Sequence, residues 1–152
     1  MLRKVRSEKL SAREESFAII ASTYNAPYVN AMLRAAKAEI ARAGGKLLVV
    51  RVPGAYEIPV VAARLARSQG YAAIVCLGVI LRGATTHAQH IAEAVSHALV
   101  RIQVEQEVPV IHEVLLLENE QHARERCLSR THNRGKEAAQ TAVKMAQVMR
   151  GL

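Results

Sequence analysis

Four short apolar segments alternate with segments of helical periodicity along this chain, and this alternation restricts the fold more than any other feature. The apolar segments span residues 17–22, 46–52, 71–81 and 108–116. Strands that alternate with amphipathic helices form a parallel sheet with helices on both faces, joined by right-handed crossovers. We therefore predict an α/β fold: a three-layer αβα sandwich of flavodoxin-like type, built on a four-stranded parallel sheet.

The length of 152 residues is enough for one domain with a hydrophobic core. Residues 1–15 are mostly polar and charged, so we expect a flexible N-terminal arm, or an arm that becomes ordered on a neighbouring subunit. A single domain should follow at residues 16–152. No apolar run approaches the roughly 18 residues of a membrane span, and no apolar signal segment is present. We expect a cytoplasmic protein without a membrane partner.

The composition argues against several classes of function. The chain contains no Asp, which excludes phospho-aspartate receivers, Asp-based Mg²⁺ sites and Ser-His-Asp triads. The histidines and the two cysteines lack metal-ligand spacing, so we expect no metal and no cofactor, with Cys76 and Cys127 as reduced, small hydrophobic residues. The net charge is +8, but the basic residues are scattered, and four Tyr and one Phe are too few for a base-stacking surface. A nucleic-acid partner is therefore not expected.

The turn after the third apolar segment is the strongest candidate for a functional site. Residues 82–87 read Arg-Gly-Ala-Thr-Thr-His and lie between a predicted strand and a predicted helix. Free N–H groups and the helix dipole favour anions at such a place, and His87 could transfer protons near neutral pH. In a purely structural interpretation, Thr85 and Thr86 cap the helix and His87 is an exposed first-turn residue. This stretch alone leaves both interpretations open.

Two further loops follow strands and should meet the first at one edge of the sheet. Tyr24 and Asn25 follow the first strand, and Asn25 is suited to cap the next helix. Residues 53–59 follow the second strand, and Glu57 could either complement a helix dipole or accept hydrogen bonds from a polyhydroxylated ligand. His112 and Glu113 interrupt the fourth strand, which indicates a strand end at a site or a subunit contact.

Five motifs, taken in order and spacing, resemble those of the lumazine synthase family. They are STYN (22–25), VPGAYEIP (52–59), LGVILRGATTH (77–87), VPVI (108–111), and ENEQHARER followed by NRGKEAA (118–126 and 133–139). The resemblance implies a transferase of riboflavin biosynthesis that uses no cofactor. Such enzymes condense 5-amino-6-ribitylamino-pyrimidinedione with 3,4-dihydroxy-2-butanone 4-phosphate to 6,7-dimethyl-8-ribityllumazine, phosphate and water.

The resemblance also implies a role for each matching residue. His87 corresponds to the general acid/base, and Arg126 to an arginine that reaches the phosphate from a neighbouring subunit. The residues that correspond to the pyrimidinedione and ribityl site are Tyr24, Asn25, Ala55, Tyr56, Glu57, Ile80, Leu81 and His112. The residues that correspond to the phosphate turn are Gly83, Ala84 and Thr85, while Arg134 and Glu137 correspond to supporting residues behind the site.

Assembly and partners follow from the same resemblance. The family forms homo-oligomers with sites at subunit interfaces, as pentamers, decamers or icosahedral shells, and riboflavin synthase is the implied protein partner. This chain departs from the family at His112-Glu113, where Phe-Gly is usual, at Leu116-Leu117, where a Thr pair is usual, and at Ala88-Gln89, where an aromatic residue and an acid are common. The alternative is therefore a family-derived lumazine- or flavin-binding protein or shell protein without turnover.

Overall fold

The computed structural model describes residues 2–152, and that part of the chain contains four strands and five helices. The strands are β1 (Ser16–Ser22), β2 (Lys46–Val52), β3 (Ala73–Leu81) and β4 (Val110–Leu117). The helices are α1 (Ala26–Ala43), α2 (Ile58–Arg67), α3 (His87–Gln106), α4 (Glu120–Ala123) and α5 (Arg134–Arg150). A 3₁₀ turn, Ala55–Glu57, precedes α2, and a π-helical segment, Arg124–Leu128, continues α4.

All four strands are parallel and lie in the order β2-β1-β3-β4, which confirms the predicted three-layer α/β fold of flavodoxin-like type. The chain moves from β1 to one side of the sheet for β2 and to the other side for β3. The loops after β1 and β3 therefore diverge, and they leave a crevice at the carboxyl ends of these strands. Ligands of open α/β sheets bind in such a crevice.

Side chains alternate between the two faces of the sheet and form two separate cores. On one face, Phe17, Ile19 and Leu77 are fully buried against α1 and α5. On the other face, Ile20 and Cys76 are fully buried against α2 and α3. Each large apolar side chain buried in this way stabilises the fold by about 1.5–3 kcal/mol. Since both faces are covered, the functional surfaces lie at the strand ends and at the outer edges of the sheet.

Asn133 connects the start of α5 to the π-helical segment. Its side-chain oxygen accepts hydrogen bonds from the N–H groups of Gly135 (2.8 Å) and Lys136 (3.2 Å), which caps the helix. Its amide nitrogen donates to the carbonyl oxygen of Cys127 at 2.7 Å. A Cβ atom at Gly135 would overlap the carbonyl group of Met32, so only glycine permits this approach of α5 to α1. Residues on the π-helical segment and in the first turn of α5 are therefore held in one arrangement.

The N-terminal arm lies along α5 of its own subunit. Gln140 donates to the carbonyl oxygen of Arg6 at 2.7 Å, and Lys144 lies 2.7 Å from a carboxylate oxygen of Glu8. Ala12 is fully buried near the end of the arm. The flexibility of the arm and the domain boundary at residue 16 stay predictions. In residues 2–152, we find no helix that combines the length and hydrophobicity needed to cross a membrane.

Candidate active site

A cavity of about 820 Å³ opens at the carboxyl ends of β1, β2 and β3 and is closed on one side by α3. We call it the strand-end pocket. Its lining residues are Tyr24, Asn25, Gly54, Ala55, Tyr56, Glu57, Val79, Ile80, Leu81, His87, His90, Ile91 and Ala94. The three loops predicted to meet at one sheet edge thus contribute to a single cavity, as the strand order requires. All predicted pyrimidinedione and ribityl residues except His112 line it, together with His87.

Two tyrosines present their rings at the mouth of this pocket. The exposed fractions of Tyr24 and Tyr56 are 65% and 66%, so either ring has a free face on which a flat heterocycle can stack. A Cβ atom at Gly54 would lie 2.9 Å from the ring of Tyr24, so glycine is needed for the β2 loop to pass beneath this ring. The backbone N–H of Tyr24 donates to the carbonyl oxygen of Pro53 at 2.9 Å, which joins the two loops.

Asn25 does not cap α1, contrary to the prediction. Its backbone is left-handed, with φ of 59°, whereas a capping residue usually has an extended backbone. Its amide nitrogen instead donates to the carbonyl oxygen of Val79 at 2.7 Å. Asparagine adopts this conformation more readily than most residues. The bond ties the loop after β1 to the end of β3 and so fixes the width of the crevice between them.

Glu57 has one structural contact within the pocket. One of its carboxylate oxygens accepts a hydrogen bond from the backbone N–H of Gly54 at 2.9 Å, which orders the β2 loop. The side chain is otherwise exposed, so its remaining lone pairs can accept hydrogen bonds from ligand hydroxyl groups. The two roles considered for this carboxylate are therefore compatible.

The turn from Gly83 to Thr86 is exposed and lies outside the lining of the strand-end pocket. The Thr85 hydroxyl accepts a hydrogen bond from the His87 N–H at 3.3 Å, whereas Thr86 occupies the N-cap position without a capping bond. The turn borders His87 directly and leads into the N-terminus of α3, where the first N–H groups of a helix lack intrahelical acceptors. Whether Gly83, Ala84 and Thr85 bind phosphate stays a prediction.

Arg82 anchors this turn from both sides. Its Nε atom lies 2.9 Å from a carboxylate oxygen of Glu118, beyond the end of β4, and its Nη2 atom lies 3.0 Å from the amide oxygen of Gln89 on α3. Three elements therefore meet at one guanidinium group beside the exposed turn. The sequence analysis did not predict a role for this residue. An Arg between a strand end and a helix start could have indicated one, because its long side chain can bond to both neighbouring elements.

Among the residues that line the pocket, His90 and Val79 were also missed. His90 lies one turn beyond His87 on the same face of α3, and its Nε2 atom is 3.2 Å from the hydroxyl of Thr86. Its spacing of three residues from His87 would have predicted a shared face. Val79 acts through its backbone carbonyl, for which the sequence carries no side-chain signal.

A second cavity, of about 740 Å³, runs along the outer edge of β4, and we call it the edge groove. Its lining residues are Gln103, Val110, Ile111, His112, Glu113, Leu115, Leu116, Leu117, Arg126, Arg134, Glu137, Thr141 and Met145. Four predicted site residues, His112, Arg126, Arg134 and Glu137, therefore lie here and not with Tyr24 and His87. The two cavities share no lining residue, and α3 contributes to both.

His112 is held as a neutral imidazole on the α3 side of β4. Its Nδ1 atom accepts a hydrogen bond from the Val114 N–H at 3.1 Å, so the proton resides on Nε2, which lies 2.7 Å from the hydroxyl of Ser96. Burial lowers the pKa of His112, which favours the same neutral form. The imidazole can therefore present a ring face to a ligand, but both of its nitrogen atoms are already in use.

Glu113 points to the opposite face, towards α5, because side chains alternate along a strand. Burial raises the pKa of its carboxyl group to about 7, and the nearby Arg134 opposes this rise. Arg134 itself is paired with Glu137, one turn along α5. Arg126 has weaker contacts: it lies 3.4 Å from the carbonyl oxygen of His122 and 3.7 Å from the carboxylate of Glu125. Of the two arginines, Arg126 is the freer to bind an anion.

Comparisons with known proteins agree with the resemblance. Residues 14–150 match the sequence profile of the family described as 6,7-dimethyl-8-ribityllumazine synthase. A protein of that name from Stenotrophomonas maltophilia is 38% identical over 139 residues, which is 90% of each chain. A protein of the same name from Clostridium kluyveri is 34% identical over 152 residues, covering 98% of this chain and 99% of the relative.

Proposed function

This chain belongs to the 6,7-dimethyl-8-ribityllumazine synthase family, and from that premise we propose that its active site combines the strand-end pocket of one subunit with the edge groove of another. Its function is that of the family, lumazine synthesis by a transferase of riboflavin biosynthesis. One observation supports a shared site: the predicted site residues are divided between two cavities that have no lining residue in common. A complete site then requires at least two copies of the chain.

In the proposed mechanism, the strand-end pocket holds the pyrimidinedione substrate. Its flat ring stacks on Tyr24, and its edge meets the backbone at Ile80 and Leu81, where a parallel strand ends with free polar groups. The ribityl chain lies along Ala55 and Tyr56, and its hydroxyl groups donate to the carboxylate of Glu57. Asn25 supports this binding indirectly, because its bond to Val79 holds the crevice open.

His87 and the adjoining turn act on the second substrate. The phosphate binds to the N–H groups at Gly83, Ala84 and Thr85, where the α3 dipole favours negative charge. Arg126 of a neighbouring subunit binds the same phosphate through its guanidinium fork. His87 relays protons as the amine attacks the ketone, phosphate leaves, the ring closes and water is lost. The pocket adds to the rate by holding both substrates in contact.

The assembly proposed is a pentamer or a multiple of it. The outer edge of β4 carries the edge groove, and Val100 and Val104 on α3 expose apolar side chains that an adjacent subunit can cover. The lumazine product is what riboflavin synthase consumes, so that enzyme is the proposed partner. A cytoplasmic location is consistent with Cys76 and Cys127, which are buried free thiols.

The first experiment mixes the protein with both substrates and follows the absorbance of the lumazine product against a control without enzyme. We expect a rate well above the control. Binding of the lumazine product without such a rate would instead indicate the alternative, a binding or shell protein that has lost turnover. In that case His112 and Glu113, which replace the usual Phe-Gly, are the first positions to revert.

A complementation experiment tests the shared site. His87→Ala and Arg126→Ala lie in different cavities, so each variant alone should be nearly inactive with saturating pyrimidinedione and limiting butanone phosphate. Mixed assemblies formed by co-expression should regain activity, because some interfaces pair an intact strand-end pocket with an intact edge groove. If mixed assemblies stay as inactive as their parents, the site lies within one subunit and the proposal is wrong.

A further inference from the structure

Glu113 is a carboxylate without a cation partner in a cavity that contains two arginines. Within residues 2–152, no Lys, Arg or His nitrogen lies within 4.0 Å of its carboxylate oxygens. The guanidinium of Arg134, whose charge lowers the pKa of Glu113 against the larger effect of burial, is engaged by Glu137. The side chain is nevertheless half-buried in the groove wall. Burying a carboxyl group without a cation partner is energetically unfavourable, so Glu113 is unusual among the polar groups of the groove.

Each element packed around Glu113 contributes its own charges. The π-helical segment brings Arg126 and the buried thiol of Cys127, and α5 brings Arg134 and Glu137. On its own strand, His112 faces the other side and is bonded to α3. When Glu113 is ionised, two arginines in the groove face two carboxylates, and when it is protonated one positive charge is uncompensated. The affinity of the groove for an anion therefore depends on the state of this one carboxyl group.

We propose that Glu113 is a positioning residue that controls how much of the positive charge of Arg126 and Arg134 is available to the phosphate of the second substrate. This inference rests on the proposed function, because that function brings Arg126 of the edge groove against the phosphate held by the turn of a neighbouring subunit. With its carboxyl group protonated, Glu113 leaves both guanidinium groups to Glu137 and the phosphate. With its carboxyl group ionised, it attracts Arg134 and repels the phosphate. Phosphate binding should therefore weaken as the pH rises through neutrality.

The test compares the KM for butanone phosphate at pH 6 and pH 8 in the wild type, in Glu113→Gln and in Glu125→Gln. Glutamine has the shape of the protonated acid and no charge. We expect the wild-type KM to rise between the two pH values by roughly threefold to tenfold more than the KM of Glu113→Gln, as removal of one charge a few ångströms away predicts. The ionisation of the substrate and of His87 is common to all three proteins and cancels in the comparison.

Glu125→Gln is the matched control, because it removes a carboxylate 3.7 Å from Arg126 that lies outside the groove lining. Its KM should keep the wild-type dependence on pH. Equal dependence in the wild type and in Glu113→Gln, with turnover intact, overturns the role of Glu113 and leaves the proposed function standing. If the protein has no turnover, calorimetric binding of inorganic phosphate at the same two pH values decides the role of Glu113 by the same criterion. Glu113→Ala serves as the second variant if Glu113→Gln does not fold.

Discussion

The strand-end pocket and the edge groove are built in different ways. Loops that follow parallel strands form the pocket. A backbone hydrogen bond from the Tyr24 N–H to Pro53 and a bond from the Asn25 side-chain amide to the Val79 carbonyl oxygen hold these loops together. Side chains of one free strand, most of them apolar, form one wall of the groove, and the π-helical segment and α5 add the charged Arg126, Arg134 and Glu137. The helix start capped by Asn133 sets the arrangement of these charged side chains. The pocket thus offers aromatic rings and backbone groups, whereas the groove offers charge. A flat neutral heterocycle suits the first, and a phosphate suits the second.

In the proposed shared site, this difference gives each of two copies of the chain a separate task. A parallel sheet produces a crevice at its strand ends within every subunit, without help from another chain. Its outer strand instead leaves an unpaired edge, which an isolated subunit cannot cover. Polar groups at such an edge gain full binding strength only when a neighbouring chain excludes water. Substitutions in the two cavities should therefore affect different kinetic constants.

The largest effect is expected for proton transfer in the pocket. His87→Ala should lower kcat by about 100-fold, the low end of the range for loss of a general acid/base, with little change in KM. Steady-state kinetics with both substrates measure this change. His90→Ala is the matched control, because His90 lines the same pocket one turn away, and it should cost much less. Equal losses in the two variants would argue against a special role for His87.

Substitutions in the edge groove should change the affinity for butanone phosphate. Arg126→Ala removes the freer guanidinium and should raise the KM for butanone phosphate by roughly 10-fold to 100-fold, as loss of charge-assisted hydrogen bonds predicts. The KM for the pyrimidinedione should change little. Arg124→Ala removes an exposed arginine from the same π-helical segment and serves as control. An unchanged KM in Arg126→Ala means that the phosphate binds elsewhere.

Arg82 anchors the turn that borders the strand-end pocket. Arg82→Ala removes the bonds to Glu118 and Gln89 and should free the turn at 83–86, raising the KM for butanone phosphate by about fivefold to tenfold. Arg82→Lys keeps one charged bond and should recover part of the affinity. If lysine and alanine have equal effects, the turn does not depend on this anchor. Circular dichroism of both variants checks that the fold is intact.

The smallest effect concerns stability. The pKa of Glu113 is about 7 in the folded protein and about 4.5 in the unfolded chain, so the folded state binds the proton more tightly. Its contribution to stability is complete below pH 4.5 and is lost as the pH rises through 7. Relative to Glu113→Gln, the wild type should lose on the order of 1 kcal/mol of unfolding free energy between pH 5 and pH 8. Urea unfolding at one fixed protein concentration measures this difference. If the two proteins show the same pH dependence, the Glu113 carboxyl group is solvated in the folded state.

The two regions also differ in how well the sequence predicts them. The strands and their periodicity placed Tyr24, Glu57 and His87 at one edge of the sheet, because parallel strands all end on the same side. Backbone groups such as the Val79 carbonyl, and the left-handed backbone of Asn25, depend on the distance between β1 and β3 and were not predictable. The predicted β3 and β4 each began two residues before the strands that the structure shows. Pro109 lacks the N–H that a further ladder bond needs, so β4 begins at Val110.

The polar pair His112-Glu113 within an apolar strand indicated a site or a subunit contact, but the other polar residues of the groove were predictable only through the family resemblance. Arg126, Arg134 and Glu137 are common surface residue types, and nothing in their spacing indicates a shared cavity. Strand alternation does predict that His112 and Glu113 face opposite sides. Which partner each side chain meets depends on the packing of α3 and α5 against β4, as Ser96 and Arg134 illustrate. Three-dimensional packing therefore decides the environment of both residues.

The cap at Asn133 has a consequence for how this chain can vary in length. Its side chain holds the Cys127 carbonyl and the first turn of α5 together. Residues 129–132 form the loop between these two fixed points. Extra residues inserted there would extend into solvent, and the added loop entropy would be small. Both groove arginines would keep their separation. The segment is thus a suitable place to insert a peptide into this chain without moving the groove arginines.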